Sequence, residues 1–319
     1  MDSTPPDATP PAPRGSGRRL AWQQVPAHVR GAVEAALCAT VVEAVTQEGG
    51  FSPGAAARLR LANGRSAFVK ALGVDVHRPS VGLYRREAAS MPHLPAGLPV
   101  PRLLDVYDDG EWVALVYEEV NGRHPAIPWR PDELERVAGA MADLAAALQS
   151  SPWPGAPAFA DVHGAFLGAW RELGHHPDVA PWLRQRLDRL AEQEVDLAEP
   201  VRGDALLHTD IRSDNLLLTP DGGVVFLDWA WTCNGAPWLD LVLFALTVNM
   251  EGGADAELLV YGHPLTRGLP PSWIDAILLD TIANYLRQLR LPESLPGIHA
   301  HQRAYVDATL RWLRRRAAG

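Results

Sequence analysis

The sequence has almost no lysine. Of its 29 basic residues, one is lysine, Lys70, and all others are arginine. Cysteine is equally scarce. Cys38 and Cys233 are too few for a disulfide framework and lack the paired spacing of a zinc site. The most apolar stretch, APWLDLVLFALTV, is short and carries Asp240, so no membrane-spanning helix is expected. The first nineteen residues lack the apolar run of a secretory signal, and a cytoplasmic location is expected by elimination. Excess positive charge is also missing. Acidic residues number 38 and the net charge is -9. Non-specific nucleic-acid binding needs clustered positive charge to displace counterions, so neither nucleic acid nor membrane is expected as a partner.

What is present suits a folded chain. Hydrophobic residues make up 47% and charged residues 21% of 319, enough for a sizeable core in two domains or one bilobal domain. Residues 1–19, rich in Pro, Ser, Thr and Asp, read as a disordered tail. From 41 to 72 the pattern is strand-like, and Asn63-Gly64 between two alternating runs predicts a hairpin. A helix is expected over 80–92, then two strands, VPRLLDVYD and EWVALVYEEV. After Asn121-Gly122 the periodicity turns helical: 132–149, 164–173 and 181–193, then a strand-rich stretch over 205–231, then helices over 237–248, 272–289 and 299–316. Strands segregated from helices predict an α+β fold, with a lobe over 20–118 and a mainly helical lobe over 119–319.

The chemistry centres on LLHTDIRSDNLLL. It places His208, Asp210 and Asn215 on a loop between apolar flanks, and Asp228 follows at the end of another apolar strand, VVFLDW. Phosphoryl transfer needs a carboxylate to orient the acceptor hydroxyl and oxygen ligands to hold magnesium on the phosphates. Asp210 fits the first role; Asn215 with Asp228 fits the second. His208 orients the loop through hydrogen bonds. The alternative is an ordinary polar loop.

With these residues in this order, residues 40–245 resemble the aminoglycoside phosphotransferase and choline kinase-like family, which shares its fold with protein kinases. The resemblance implies a bilobal kinase-like fold, an antiparallel sheet with one helix preceding a helical lobe. It implies an enzyme using ATP and Mg2+. Gly49, Gly50 and Ser52 fall where the family places its nucleotide-positioning loop. Lys70 falls where the family lysine contacts the α- and β-phosphates, and Glu87 where a helix carboxylate pairs with it. Glu118 and Val120 fall at the hinge that meets the adenine edge. Asp240 falls where an aspartate supports the catalytic loop. Thr209 replaces a frequent glycine, which requires an unstrained backbone at 209.

Asp240 follows Asp228 by only twelve positions, too few for a peptide-seating segment, so a small hydroxyl acceptor is expected. Trp229, Trp231 and Trp238 either line its pocket or pack the core. Glu251, Asp255, Glu257, Asp275, Asp280, Glu293 and Asp307 would suit a cationic acceptor such as an aminoglycoside, or simply decorate acidic helices. Two other classes stay open. One is a nucleotide-binding pseudokinase or sensor. The other is an interaction protein whose C-terminal arginines, Arg303, Arg311, Arg314, Arg315 and Arg316, grip an acidic partner or nucleic acid, with His299 and His301 as surface residues.

Overall fold

The computed structural model describes residues 19–164, 167–173, 180–193, 195–253 and 255–318. Most of the expected tail lies outside these residues. Of that tail only residue 19 is described, and the Arg19 side chain is hydrogen-bonded to Gly49 O.

A first helix, α1 (Ala27–Leu37), precedes the strands. The strands β1 (Val41–Thr46), β2 (Ala55–Leu61), β3 (Ser66–Gly73), β4 (Leu103–Asp108) and β5 (Trp112–Glu118) form one antiparallel sheet in the order β1-β2-β3-β5-β4. Asn63-Gly64 makes the β2–β3 turn, with Gly64 at φ 80. The period of two sorts the side chains. Ala67, Val69 and Ala71 face α1, where Val29, Val33 and Leu37 cover them. Phe68, Lys70 and Leu72 point to the other face.

That second face is crossed by α2 (Val74–Ser90), interrupted at His77 (φ -163, ψ 92). His77 Nδ1 accepts from Ser80 N at 3.2 Å and so caps the continuing helix, whose first turn holds Pro79, a residue with no N–H to satisfy. This explains why the sequence pattern is regular only from residue 80.

The larger lobe contains α3 (Pro131–Ala147), α4 (Phe159–His163), α5 (Trp170–Leu173) and α6 (Pro181–Glu192). Of the helix expected over 164–173, the described residues are helical only at Trp170–Leu173, and 165–166 lie outside them. Two small ladders follow: β6 (Ala205–Leu207) with β9 (Cys233–Gly235), and β7 (Leu216–Leu218) with β8 (Val224–Phe226). The lobe ends with α7 (Trp238–Glu251), α8 (Ala256–Gly262), α9 (Pro271–Gln288) and α10 (Ile298–Ala318).

The largely apolar run of α7 has a packing reason. Leu239, Val242 and Ala245 belong to the core of the helical lobe, while Leu241, Phe244 and Val248 belong to the core beneath the sheet. A helix buried on all sides has no polar face to show. The lobes also meet through α2, where Ser90 Oγ donates to Trp229 O at 2.8 Å. Among the described residues no helix is long and apolar enough to cross a membrane.

The C-terminal arginines are partly internal. Arg316 bonds Asp275 at 2.7 Å and also Glu257, and Arg315 donates to Asn249 Oδ1 at 2.9 Å. His301 is buried rather than a surface residue, its ring 4.8 Å from that of Phe51.

Candidate active site

The loop His208–Asn215 runs from β6 to β7 and is fixed first by Asp240, in the opening turn of α7. Asp240 Oδ2 accepts from His208 N at 2.9 Å and Oδ1 from Thr209 N at 2.7 Å. His208 Nε2 donates to Leu227 O at 2.7 Å, which leaves Nδ1 to accept from Asp210 N at 3.2 Å. The tautomer is assigned from this pairing. The expectation of an unstrained Thr209 fails: its φ is 61, in the left-handed region that glycine favours. Its hydroxyl donates to Trp231 O at 2.9 Å and accepts from His163 Nε2 at 3.1 Å. Burial, helped by Arg86, holds His163 down to about 4, so that ring is neutral at pH 7. At the far end of the loop, Ser213 Oγ donates to Glu251 Oε1 at 2.5 Å, and Glu251 Oε2 accepts from Trp129 Nε1 at 2.6 Å. Glu251 closes α7, so one helix grips the loop at both of its ends.

Around this loop the distant polar residues converge. Asn215 Nδ2 donates to Asp210 Oδ2 at 3.0 Å and to Asp210 O at 2.8 Å, which turns the amide oxygen away from Asp210. Lys70 Nζ lies 2.5 Å from Glu87 Oε2 and 3.3 Å from Asp228 Oδ1. Glu87 Oε1 accepts from Tyr117 Oη at 2.8 Å. Burial disfavours the Lys70 ammonium, but Asp228 and Glu87 outweigh it and hold Lys70 above its ordinary range. Burial likewise opposes ionisation of Asp228, and Lys70 with Arg212 brings that carboxyl below the usual range. Burial pushes Asp210 up against the pull of Arg212. Asp228 adopts φ 64, a second left-handed residue of the site that is not glycine, two residues past the end of β8.

A cavity of about 240 Å³ lies between the lobes. Gly49, Gly50, Ser52, Lys70, Glu87, Glu118, Val120, Asn215 and Asp228 all line it, and Asp210 joins this set through Asn215. Ala56, Phe68, Leu217 and Leu227 supply an apolar wall. The sequence reading passed over several polar members, Arg212, Tyr84 and Arg19 among them. Arg212, two residues past Asp210, pairs with Asp214 at 3.0 Å and approaches Asp210 at 3.8 Å. Tyr84 Oη meets Ser52 Oγ at 2.9 Å, and its ring lies 5.1 Å from Lys70 Nζ. Arg19 reaches in from before the sheet. The spacing of Arg212 from Asp210 was a usable signal; nothing in the local sequence marked the other two.

Several of the carboxylates considered for an acceptor pocket have other partners. Asp275 bonds Arg186 at 2.5 Å, Glu257 bonds Arg316, Asp255 caps α8, and Asp280 accepts from Gly168 N and Trp170 N. Trp229 and Trp238 are buried in the two cores. Trp231 is half-buried beside the His208–Asn215 loop, with Arg86 over its ring at 4.9 Å. Tyr285 stands near Asp210; burial, with Asp210 adding to it, pushes its hydroxyl up to about 12.

The model of the phosphotransferase enzyme family matches residues 49–271, most of the chain. The chain belongs to that family. No curated protein matches the sequence. Solved structures that share the architecture include the aminoglycoside phosphotransferase APH(4)-Ia in complex with ADP and hygromycin B. It is 17% identical, with 89% of this chain and 98% of that one covered and a TM-score of 0.59. Choline kinase LicA from Streptococcus pneumoniae is 17% identical over 89% of this chain and 100% of that one, with a TM-score of 0.57. The amicoumacin kinase hAmiN, solved with AMP-PNP, Ca2+ and Ami, is 13% identical over 88% and 93%, with a TM-score of 0.51. These likenesses give the phosphotransferase its protein kinase-like fold.

Proposed function

We propose that this phosphotransferase moves the γ-phosphoryl group of ATP, with magnesium, to a hydroxyl of a small acceptor. One observation carries the reading. The Lys70 ammonium bonds Glu87 from one lobe and Asp228 from the other inside a single cavity. The apolar wall suits an adenine ring, with the Glu118 and Val120 backbone at its edge. Gly49, Gly50 and Ser52 cover the phosphates, and Lys70 neutralises the α- and β-groups. Asn215 and Asp228 offer the oxygen donors that magnesium takes, so the residues fit that ion. When bound, it would offset the negative charge of the phosphate oxygens. Asp210 orients the acceptor hydroxyl and receives its proton. The transition state is loose, so positioning counts for more than base strength. The lobe over 20–118 would then serve the nucleotide, and the lobe over 119–319 catalysis and the acceptor.

An aminoglycoside is the first acceptor to try, since one structural neighbour was solved with hygromycin B. Choline joins the panel because another structural neighbour is a choline kinase, and neutral polyols join it because several carboxylates that would draw in a cation have internal partners. Incubation with Mg-ATP, read by mass spectrometry for a phosphate-sized gain, tests the proposal. We expect a phosphorylated acceptor, and loss of turnover by at least about 100-fold in Asp210→Asn with ATP binding retained. ATP binding with neither acceptor phosphorylation nor slow hydrolysis would mark a nucleotide sensor instead.

A further inference from the structure

Arg19 stands thirty residues before Gly49 and outside the family-matched segment 49–271. Its guanidinium nonetheless lines the inter-lobe cavity. Nε and Nη2 donate to Gly49 O at 2.9 and 2.5 Å, and Nη1 donates to Ser52 O at 3.2 Å. One planar fork thus closes on two carbonyls of the glycine-bearing loop. The neighbouring backbone reinforces it, with Leu20 N donating to Pro53 O at 3.3 Å. Just beyond, Trp22 and Val25 are buried with α1 against the sheet, so the arginine hangs from a fixed core rather than a loose strand. Gly50 matches this arrangement twice over. It adopts φ 71, and a Cβ there would fall 2.7 Å from Arg19 Nη2. From the opposite side, Tyr84 holds the Ser52 hydroxyl.

A loop this rich in glycine loses much conformational entropy when a ligand orders it. We propose that Arg19 is a positioning residue for nucleotide binding. It pre-orders the Gly49–Ser52 backbone over the phosphates, and it is supplied by a segment outside the family's matched region. Lysine cannot substitute, because one ammonium does not span two carbonyls in a fixed plane.

The inference rests on the nucleotide reading above, and the test separates the two. Full-length wild type, Arg19→Ala and Arg19→Lys are titrated calorimetrically with Mg-ATP and with adenosine. Both variants should bind Mg-ATP about tenfold more weakly than wild type and bind adenosine equally well. Unchanged Mg-ATP affinity in Arg19→Ala overturns the proposal. Wild-type affinity in Arg19→Lys also overturns it, since charge alone would then suffice. Parallel loss of ATP and adenosine points to general loosening and overturns it too. A wild type that binds neither ligand removes the nucleotide reading itself, and the role of Arg19 with it.

Discussion

Replacing Asp240 by asparagine should cripple turnover while sparing nucleotide binding. Asp240 accepts two backbone N–H bonds, from His208 and Thr209, at 2.9 and 2.7 Å. Asparagine keeps one acceptor oxygen and turns an NH2 group toward the other donor. A hydrogen bond to a charged group contributes about 1.5–3 kcal/mol, so losing one and weakening its companion costs roughly 3 kcal/mol. Thr209 is also released from its left-handed conformation, which costs about 1–2 kcal/mol to hold. The backbone that escapes is the one leading into Asp210. If the whole loss falls on the reactive geometry, roughly 3 kcal/mol is a rate factor on the order of 100. Basal Mg-ATP hydrolysis, followed by coupled detection of ADP, needs no knowledge of the acceptor. We expect kcat about 100-fold down and the ATP dissociation constant within about threefold of wild type. Adding Thr209→Gly should restore about tenfold, because glycine takes the left-handed conformation without strain. Turnover within a few-fold of wild type in Asp240→Asn would show that the loop does not need this anchor. Failure of Thr209→Gly to recover anything would show that backbone strain is not what the anchor opposes.

Lys70→Ala should raise KM for ATP and lower kcat/KM by about two orders of magnitude, and it should leave Glu87 and Asp228 without their shared cation; normal ATP kinetics would remove the phosphate contact from the reading. Glu251 makes stability depend on pH. Burial pushes its carboxyl from 4.5 up to about 7, against the pull of Ser213 and Trp129. The folded state therefore binds the proton more tightly than the unfolded state. The associated stability is fully present below pH 4.5 and is lost as pH rises to about 7, a difference of roughly 3 kcal/mol. Urea melts of wild type and Glu251→Gln across that window should diverge as pH rises, with the wild type losing ground; parallel curves would contradict the assignment.

Much of this arrangement was legible in the sequence, for physical reasons. The Asn63-Gly64 turn, the alternation of β3 and β5 and the apolar flanks of HTDIRSDN are local signals, and local signals survive without a partner in view. Lys70 stood out because composition had removed every other lysine. What escaped is non-local. Helix α1 buries only Val29, Val33 and Leu37, one residue per turn, too narrow a stripe to stand out among alanines. Arg19 and Tyr84 gain meaning only when the chain folds back on the glycine-bearing loop. The left-handed Thr209 was missed because threonine does not advertise that conformation; Asp240, thirty-one residues away, imposes it. The carboxylates of the last helices read as a charged surface, yet Asp280 and Glu251 are buried, because backbone and side-chain donors await them.

Helix α7 joins two cores and carries a carboxylate in its first turn and another at its last residue, with the His208–Asn215 loop strung between them like a cord tied to both ends of a rod. The spacing of those knots is set by a rigid rod rather than by the loop's own soft torsions. Volume changes at Leu241 or Phe244, both fully enclosed, should therefore be felt as misplacement of Asp210 even though neither side chain borders the cavity. Variants that alter rate from a distance are to be sought along this rod before anywhere on the surface.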